Sequence, residues 1–293
     1  MTSGLRLVRK SLALLLSLSA AGAAAEERIR VRLGGEGARI EDLRLEDYVA
    51  GVVAGEMPAS FPPEALKAQA VAARSYALTR KLDVLAASAG RGWDIGNGVI
   101  AQVYRSGAGA AARAAVEATA GEVLVHGMEP VEAYFHAACG GRTEAGLPAL
   151  GRDLPYLVPV ECSRCEQAPG SRWRVVLGAA QLGRVAGLDG DAEAVRVAAR
   201  SETGRVVRVE LGRGRRTVVL DGADLRRRLG FSRLPSLAFE VRAADGGFVF
   251  EGRGLGHGAG LCQWGAAALA REGKTYREIL AHFYPGTDVV RMY

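Results

Sequence analysis

At 293 residues the chain has ample material for a core, enough for one large domain or two modest ones. Its formal charge of +6 includes Arg6, Arg9 and Lys10, which precede an apolar run; without those three cations, and with no acid lost beside them, +6 becomes +3, too little to argue for nucleic acid as a partner. No later stretch approaches the length of a transmembrane helix, so no integral membrane span is expected in the mature chain.

Residues 1–25 read as a secretory signal peptide, with an uncleaved anchor as the alternative: basic residues, the apolar run at 12–18, and Ala23-Ala24-Ala25 as a small-residue cleavage site before Glu26-Glu27. The mature protein, 26–293, is therefore expected to be exported, in the periplasm, cell envelope or medium. It opens on Ile29-Arg30-Val31-Arg32-Leu33, an alternating half-buried strand closed by Gly34-Gly35. A helix follows in which Leu45, Val49, Val52 and Glu56 fall at i, i+4, i+7 and i+11 and so share one stripe, and Pro58 ends it. A carboxylate closing an apolar stripe is disfavoured in its charged form, so Glu56 is expected to hold a proton near neutrality, as a general acid must. The plain alternative is a rim glutamate that curls toward water.

Pro62-Pro63 opens a second helix over 64–81 whose face Leu66, Ala70, Ala73, Ala77 is small enough for close neighbours. A third alanine-rich helix spans 108–120 with Gly121 as its stop, and 123–135 is strand material broken at Gly127. Short strands are predicted at 173–177, 195–198, 206–211, 217–220, 239–242 and 248–251, with helices at 179–186 and 222–229. Residues 262–271 return to helix, and Thr275-Tyr276-Arg277-Glu278 is a capping box for a last one that Pro285 ends. Segregated helices and strands argue α+β, and the chain offers no visible internal repeat. The clusters Arg213, Arg215, Arg216 and Arg226, Arg227, Arg228 read as solvated faces, or as contacts for anionic wall polymer or lipid headgroups.

Cys139, Cys162, Cys165 and Cys262 are an even set, which favours disulfides in an exported protein, whereas the Cys162-x-x-Cys165 spacing suits zinc. Four thiolates make a closed structural site, and His136 is an alternative ligand to Cys262. Three segments combine functional groups with glycine: Gly55-Glu56-Met57-Pro58, the run from Tyr134 to Glu144 through His136, and the loop from Gly254 to Gly265 that carries His257, Gln263 and Trp264. The loop lacks the Lys and Ser/Thr of a Walker motif and has no βαβ surroundings, so a nucleotide site is not expected. A glycine loop with an aromatic ring suits a saccharide cleft.

Together these segments resemble the SpoIID/LytB family, that is, stage II sporulation protein D and the amidase-enhancer proteins. The resemblance rests on Tyr48-Val49-Ala50-Gly51-Val52-Val53-Ala54-Gly55-Glu56-Met57-Pro58, Ala65 to Tyr76, Asp94 with Gln102-Val103-Tyr104, the His136 and glycine-loop segments, and Tyr284-Pro285-Gly286-Thr287. It implies a single α+β SpoIID/LytB-type domain over 26–293, a helical catalytic region packed against antiparallel sheet segments with a strand-rich insertion at about 172–252. The implied activity is that of a peptidoglycan lytic transglycosylase with Glu56 as its catalytic acid and base. Gln69, Arg74, Ser75, Tyr76, His136, His257 and Gln263 map onto substrate-binding positions. Some relatives carry a metal-site cysteine just before Gln-Val-Tyr where this chain has Ala101, which directs any structural zinc to Cys139, Cys162, Cys165 and Cys262. The implied partners are glycan strands and a cell-wall amidase.

Overall fold

The computed structural model describes residues 26–293 except 35–36, 88–89, 91, 99–100 and 163, so the expected signal peptide lies outside the described residues. The chain forms two compact units that interleave along the sequence. One takes residues up to Ala59, Ala70–Ala133 and Thr287–Tyr293; the other takes Ser60–Gln69 and Tyr134–Gly286.

In the first unit, β1 (Arg28–Leu33) buries Ile29 and Val31 and turns its arginines outward. It pairs antiparallel with β2 (Arg39–Arg44), which leads without a gap into α1 (Leu45–Glu56). Leu45, Val49 and Val52 of the expected stripe are all buried, joined by Tyr48 and Val53. Helix α2 (Pro63–Ala86) runs five residues past the predicted end at 81, with Ala70, Ala72, Ala73 and Ala77 wholly buried. The two-residue strand β3 (Ile95–Gly96) joins β1 in parallel. There Asp94 accepts the Arg30 amide at 2.8 Å and its guanidinium at 2.6 Å. Helix α3 (Ala110–Ala118) is shorter than predicted; β4 (Glu122–His126) and β5 (Glu129–Pro130) form a hairpin, and the C-terminal strand Asp288–Arg291 lies antiparallel against β4.

The second unit contains β6 (Phe135–His136), a short α4 (Gly146–Leu150), and then a run of strands and helices with its own apolar core. The run is β7 (Arg172–Gly178), α5 (Ala179–Ala186), β8 (Ala194–Arg200), β9 (Val206–Arg213), β10 (Arg216–Asp221), α6 (Gly222–Leu229), β11 (Ala238–Ala244) and β12 (Gly247–Arg253). Contrary to the expectation of no repeat, this is a strand-helix-hairpin unit used twice. Val175-Val176-Leu177, Leu182 and Gly187 recur at the same spacing as Val218-Val219-Leu220, Leu225 and Gly230. Each lone strand pairs with the hairpin of the other copy, giving sheets ordered β10-β9-β8 and β11-β12-β7. Leu177, Leu182, Val209, Leu211, Leu225, Phe239 and Phe250 fill the space between. After it β13 (Leu261–Cys262) pairs in parallel with β6, followed by α7 (Gln263–Arg271) and α8 (Tyr276–Phe283). The predicted capping box is formed by Thr275 and Glu278. No helix among the described residues is long and apolar enough to cross a membrane.

Candidate functional site

Glu56 is the last residue of α1, half-buried where the apolar stripe meets the surface. Its Oε1 accepts the Val103 amide proton at 2.7 Å. The Tyr48 hydroxyl, deeper on the same helix, is pushed far up by burial and then by the charges of Tyr76, Glu56 and Tyr104, and stays a neutral donor.

The α2 residues that resemblance would put against substrate lie mostly inside the first unit. The Arg74 guanidinium is fully buried and grips Glu46 through Nε (3.0 Å to Oε1) and Nη2 (2.6 Å to Oε2), while Nη1 donates to the Glu122 carbonyl at 2.9 Å. The Ser75 hydroxyl donates to the Val71 carbonyl at 2.6 Å and accepts the Leu124 amide at 2.8 Å, tying α2 to β4. Tyr76 is buried with the Arg80 guanidinium 4.8 Å from its ring centre. These contacts give Arg74 and Ser75 an internal, architectural part.

Gln69, His136, His257 and Gln263 belong to the second unit. Gln263 Nε2 lies 3.4 Å from Gln69 Oε1, and both side chains are buried. The two histidine rings are 5.4 Å apart. His257 donates through Nε2 to the Phe135 carbonyl at 2.9 Å and accepts the Ala259 amide through Nδ1 at 3.1 Å, which fixes one neutral tautomer. His136 donates through Nδ1 to the Ala259 carbonyl at 3.1 Å, while its Nε2 is buried without a hydrogen-bond partner among the described residues. The loop can wrap this closely because a Cβ on Gly256, at φ 109°, would stand 2.7 Å from the His136 Cβ.

Burial, assisted by Arg226 and Arg205, pushes His257 down to about 4. As pH falls the unfolded chain takes this proton first, near its ordinary value of about 6.5, so the folded state loses stability between about 6.5 and 4 and keeps it above that window. The expected result is a urea midpoint that drops over this range in wild type and drops less in His257→Asn.

Two further buried residues organise the loop and were not singled out from the sequence. Glu144 accepts the hydroxyls of Ser201 and Thr203 on one oxygen and the Ala145 amide at 2.9 Å on the other. Arg205 donates to the Cys139 carbonyl at 2.6 Å and the Arg142 carbonyl at 3.1 Å, and a Cβ on Gly258 would meet its guanidinium at 2.7 Å. Glu144 itself sits at the end of a segment the sequence flagged, but its partners are 57 and 59 residues away, beyond any spacing signal.

Cys139, Cys162, Cys165 and Cys262 are buried free thiols whose sulfurs all lie within 4.8 Å of one another, Cys139 and Cys165 at 3.3 Å. A tetrahedral zinc–thiolate site has sulfur–sulfur edges of about 3.8 Å, so donor set and separations fit one such ion. Thiol hydrogen bonds from Cys139, then Cys162 and Cys262, favour the thiolate of Cys165, whereas burial pushes Cys262 up. His136 is not among the four clustered donors. Three of the clustered arginines have partners within the second unit: Arg216 pairs with Asp189 at 3.2 Å, Arg228 with Asp224 at 2.7 Å, and Arg226 donates to the Leu234 and Pro235 carbonyls.

Residues 34–126, which include Glu56 and its Val103 donor, match the family described as Stage II sporulation protein. The stage II sporulation protein D of Bacillus subtilis is 33% identical over 265 residues, covering 85% of this chain and 75% of that protein. The chain belongs to the stage II sporulation protein D family. An uncharacterized protein of Brachyspira hyodysenteriae is 34% identical, covering 86% of this chain and 68% of its own length. The amidase enhancer of Bacillus subtilis is 27% identical over 82% of this chain but only 40% of its own length. Residues 172–260 match a domain of unknown function, DUF8618, and take in the duplicated unit and the start of the glycine loop. Within this SpoIID-family chain, then, Glu56 and the cysteine cluster sit in different units, and the repeat carries Arg205, which stands against Gly258 of the loop, and Ser201 and Thr203, which donate to Glu144.

Proposed function

We propose that this SpoIID-family protein is an exported lytic transglycosylase that cuts the bond between N-acetylmuramic acid and N-acetylglucosamine in peptidoglycan. The observation that carries the reading is Glu56, a half-buried carboxylate at the end of an apolar helix with a main-chain donor on one oxygen. Hydrolysis of a glycosidic bond ordinarily takes two carboxylates, one as acid and one as base or nucleophile. Transglycosylation to an internal hydroxyl takes one. Glu56 as the acid gives its proton to the glycosidic oxygen while the muramoyl C1–O bond breaks, and the N-acetylglucosamine leaves with a free 4-hydroxyl. The resulting carboxylate removes the proton of the muramoyl 6-hydroxyl as that oxygen bonds to C1, which closes a 1,6-anhydro ring and restores the acid. No water is consumed. Incubating the mature protein with glycan strands stripped of stem peptides is expected to yield 1,6-anhydromuramoyl ends by mass spectrometry; binding without any product sinks the reading.

A second reading is supported by the amidase-enhancer relative: a wall-binding protein that stimulates a cell-wall amidase without cutting glycan. It predicts glycan binding and amidase stimulation that survive Glu56→Gln. In either reading the sulfur cluster suits a structural zinc ion, held by Cys139, Cys162, Cys165 and Cys262, whose chemistry is to cross-link the 139–165 segment to the start of α7 rather than to act on substrate. Metal analysis is expected to find one zinc per chain, lost in Cys139→Ser and in Cys262→Ser together with a lower melting temperature. Metal-free protein with fewer than four titratable thiols would instead mean disulfides.

A further inference from the structure

We propose that Gln102 is a positioning residue for Glu56: it fixes the strap 102–105 in a groove on α1 so that the Val103 amide stays on the Glu56 carboxylate. The inference rests on the reading of Glu56 as the acid and base. The groove is made by Gly51 and Gly55, one turn apart on α1. A Cβ on Gly55 would stand 2.3 Å from the Val103 carbonyl oxygen, and one on Gly51 would stand 2.3 Å from the Tyr104 ring and 2.8 Å from the Arg105 carbonyl oxygen. Only bare backbone at both places lets the strap lie this close.

Contact alone does not set the strap's register; hydrogen bonds do. The Arg105 amide donates to the Gly51 carbonyl at 3.0 Å, and Asn97 Oδ1 accepts the Tyr104 amide at 2.8 Å. Gln102 supplies the buried anchor. Its Oε1 accepts the Tyr48 hydroxyl at 2.9 Å and its Nε2 donates to the Ala73 carbonyl at 3.1 Å, so one amide links α1 and α2. The Tyr104 ring stacks on Tyr48 at 5.5 Å and 12°, holding the strap from its other side. Val103 lies between these two fixed points, and its amide has one place to point. A carboxylate so addressed has a donor that strengthens as charge develops on it.

The test pairs a spectroscopic readout with a kinetic one. In wild-type protein the Val103 amide resonance is expected to titrate with Glu56, and the titration is expected to vanish in Glu56→Gln. In Gln102→Ala its amplitude shrinks and its midpoint moves to higher pH, because the carboxylate has lost a steady donor. On denuded glycan, Gln102→Ala is expected to lower kcat about 10- to 100-fold with KM nearly unchanged, the scale of one hydrogen bond to a charged group. Tyr48→Phe, which keeps the stacked ring and removes only the hydroxyl, is expected to show the same changes at smaller size and serves if Gln102→Ala does not fold. A Val103 resonance that ignores pH, or one that titrates identically in wild type and in both variants, overturns the proposal. Wild-type protein that forms no anhydro ends defeats the lytic reading, while the amide titration still decides the positioning.

Discussion

Glu56→Gln is expected to reduce formation of anhydromuramoyl ends by about 1,000-fold or more, because one residue supplies both proton transfers and each such role is worth roughly 100- to 10,000-fold. The substitution keeps size and keeps an oxygen able to accept the Val103 amide, so the end of α1 and its melting temperature should not change. The acidic proton, and the charge of its conjugate base, are gone. Glu56→Asp retains the proton but draws it back by one methylene, and is expected to fall between wild type and Glu56→Gln. The measurement is the initial rate of anhydro-end formation on denuded strands, read beside a thermal melt. Undiminished product from a correctly folded Glu56→Gln would remove Glu56 from the chemistry.

Arg74→Ala is expected to have the largest effect on stability. Its guanidinium is fully buried, and removing it takes two hydrogen bonds from the Glu46 carboxylate, which keeps the Gly121 amide at 3.2 Å and the Tyr293 hydroxyl at 2.7 Å, and takes one from the Glu122 carbonyl. Deleting one partner of a buried pair costs about 3–5 kcal/mol; the Glu46 side chain left behind is 25% exposed, which places this pair at the low end, about 3 kcal/mol. At about 2–4 °C per kcal/mol for a chain of this size, the melting temperature should fall by roughly 10 °C. Arg74→Lys keeps the charge without the planar fork and should recover part of the loss. A melting temperature within 2 °C of wild type, roughly the scale of a neutral surface change, combined with a raised KM for glycan, would instead make Arg74 the substrate contact that resemblance implies.

Periodicity and punctuation made much of the fold legible. The bounds 179–186 and 222–229 for α5 and α6 follow from apolar spacing closed by Gly187 and Gly230, and the Thr275–Glu278 capping box announces α8. Strand β2 went unannounced because none of the residues in Arg39–Arg44 is fully buried, so no alternation marks it. The repeat is masked in the sequence because its two hairpins close with turns of different length, which breaks the spacing after each helix. Glu56 stood out as a charge on an apolar stripe, and the cysteines by their spacing. What distinguishes His257 from His136 is which main-chain groups reach the two rings, and that depends on a parallel pairing of β6 with β13 across more than a hundred residues. The Gln102 anchor was visible as a motif, but its partners Tyr48 and Ala73 lie on two different helices.

On the proposed mechanism, Glu56 turns a glycosidic bond into an internal acetal without water. Cleavage of denuded glycan strands in water enriched in oxygen-18 tests it most directly. The expected products are unlabelled 1,6-anhydromuramoyl ends in wild type and none in Glu56→Gln; oxygen-18 at the new muramoyl C1, or no cleavage by protein that binds the strands, would contradict it.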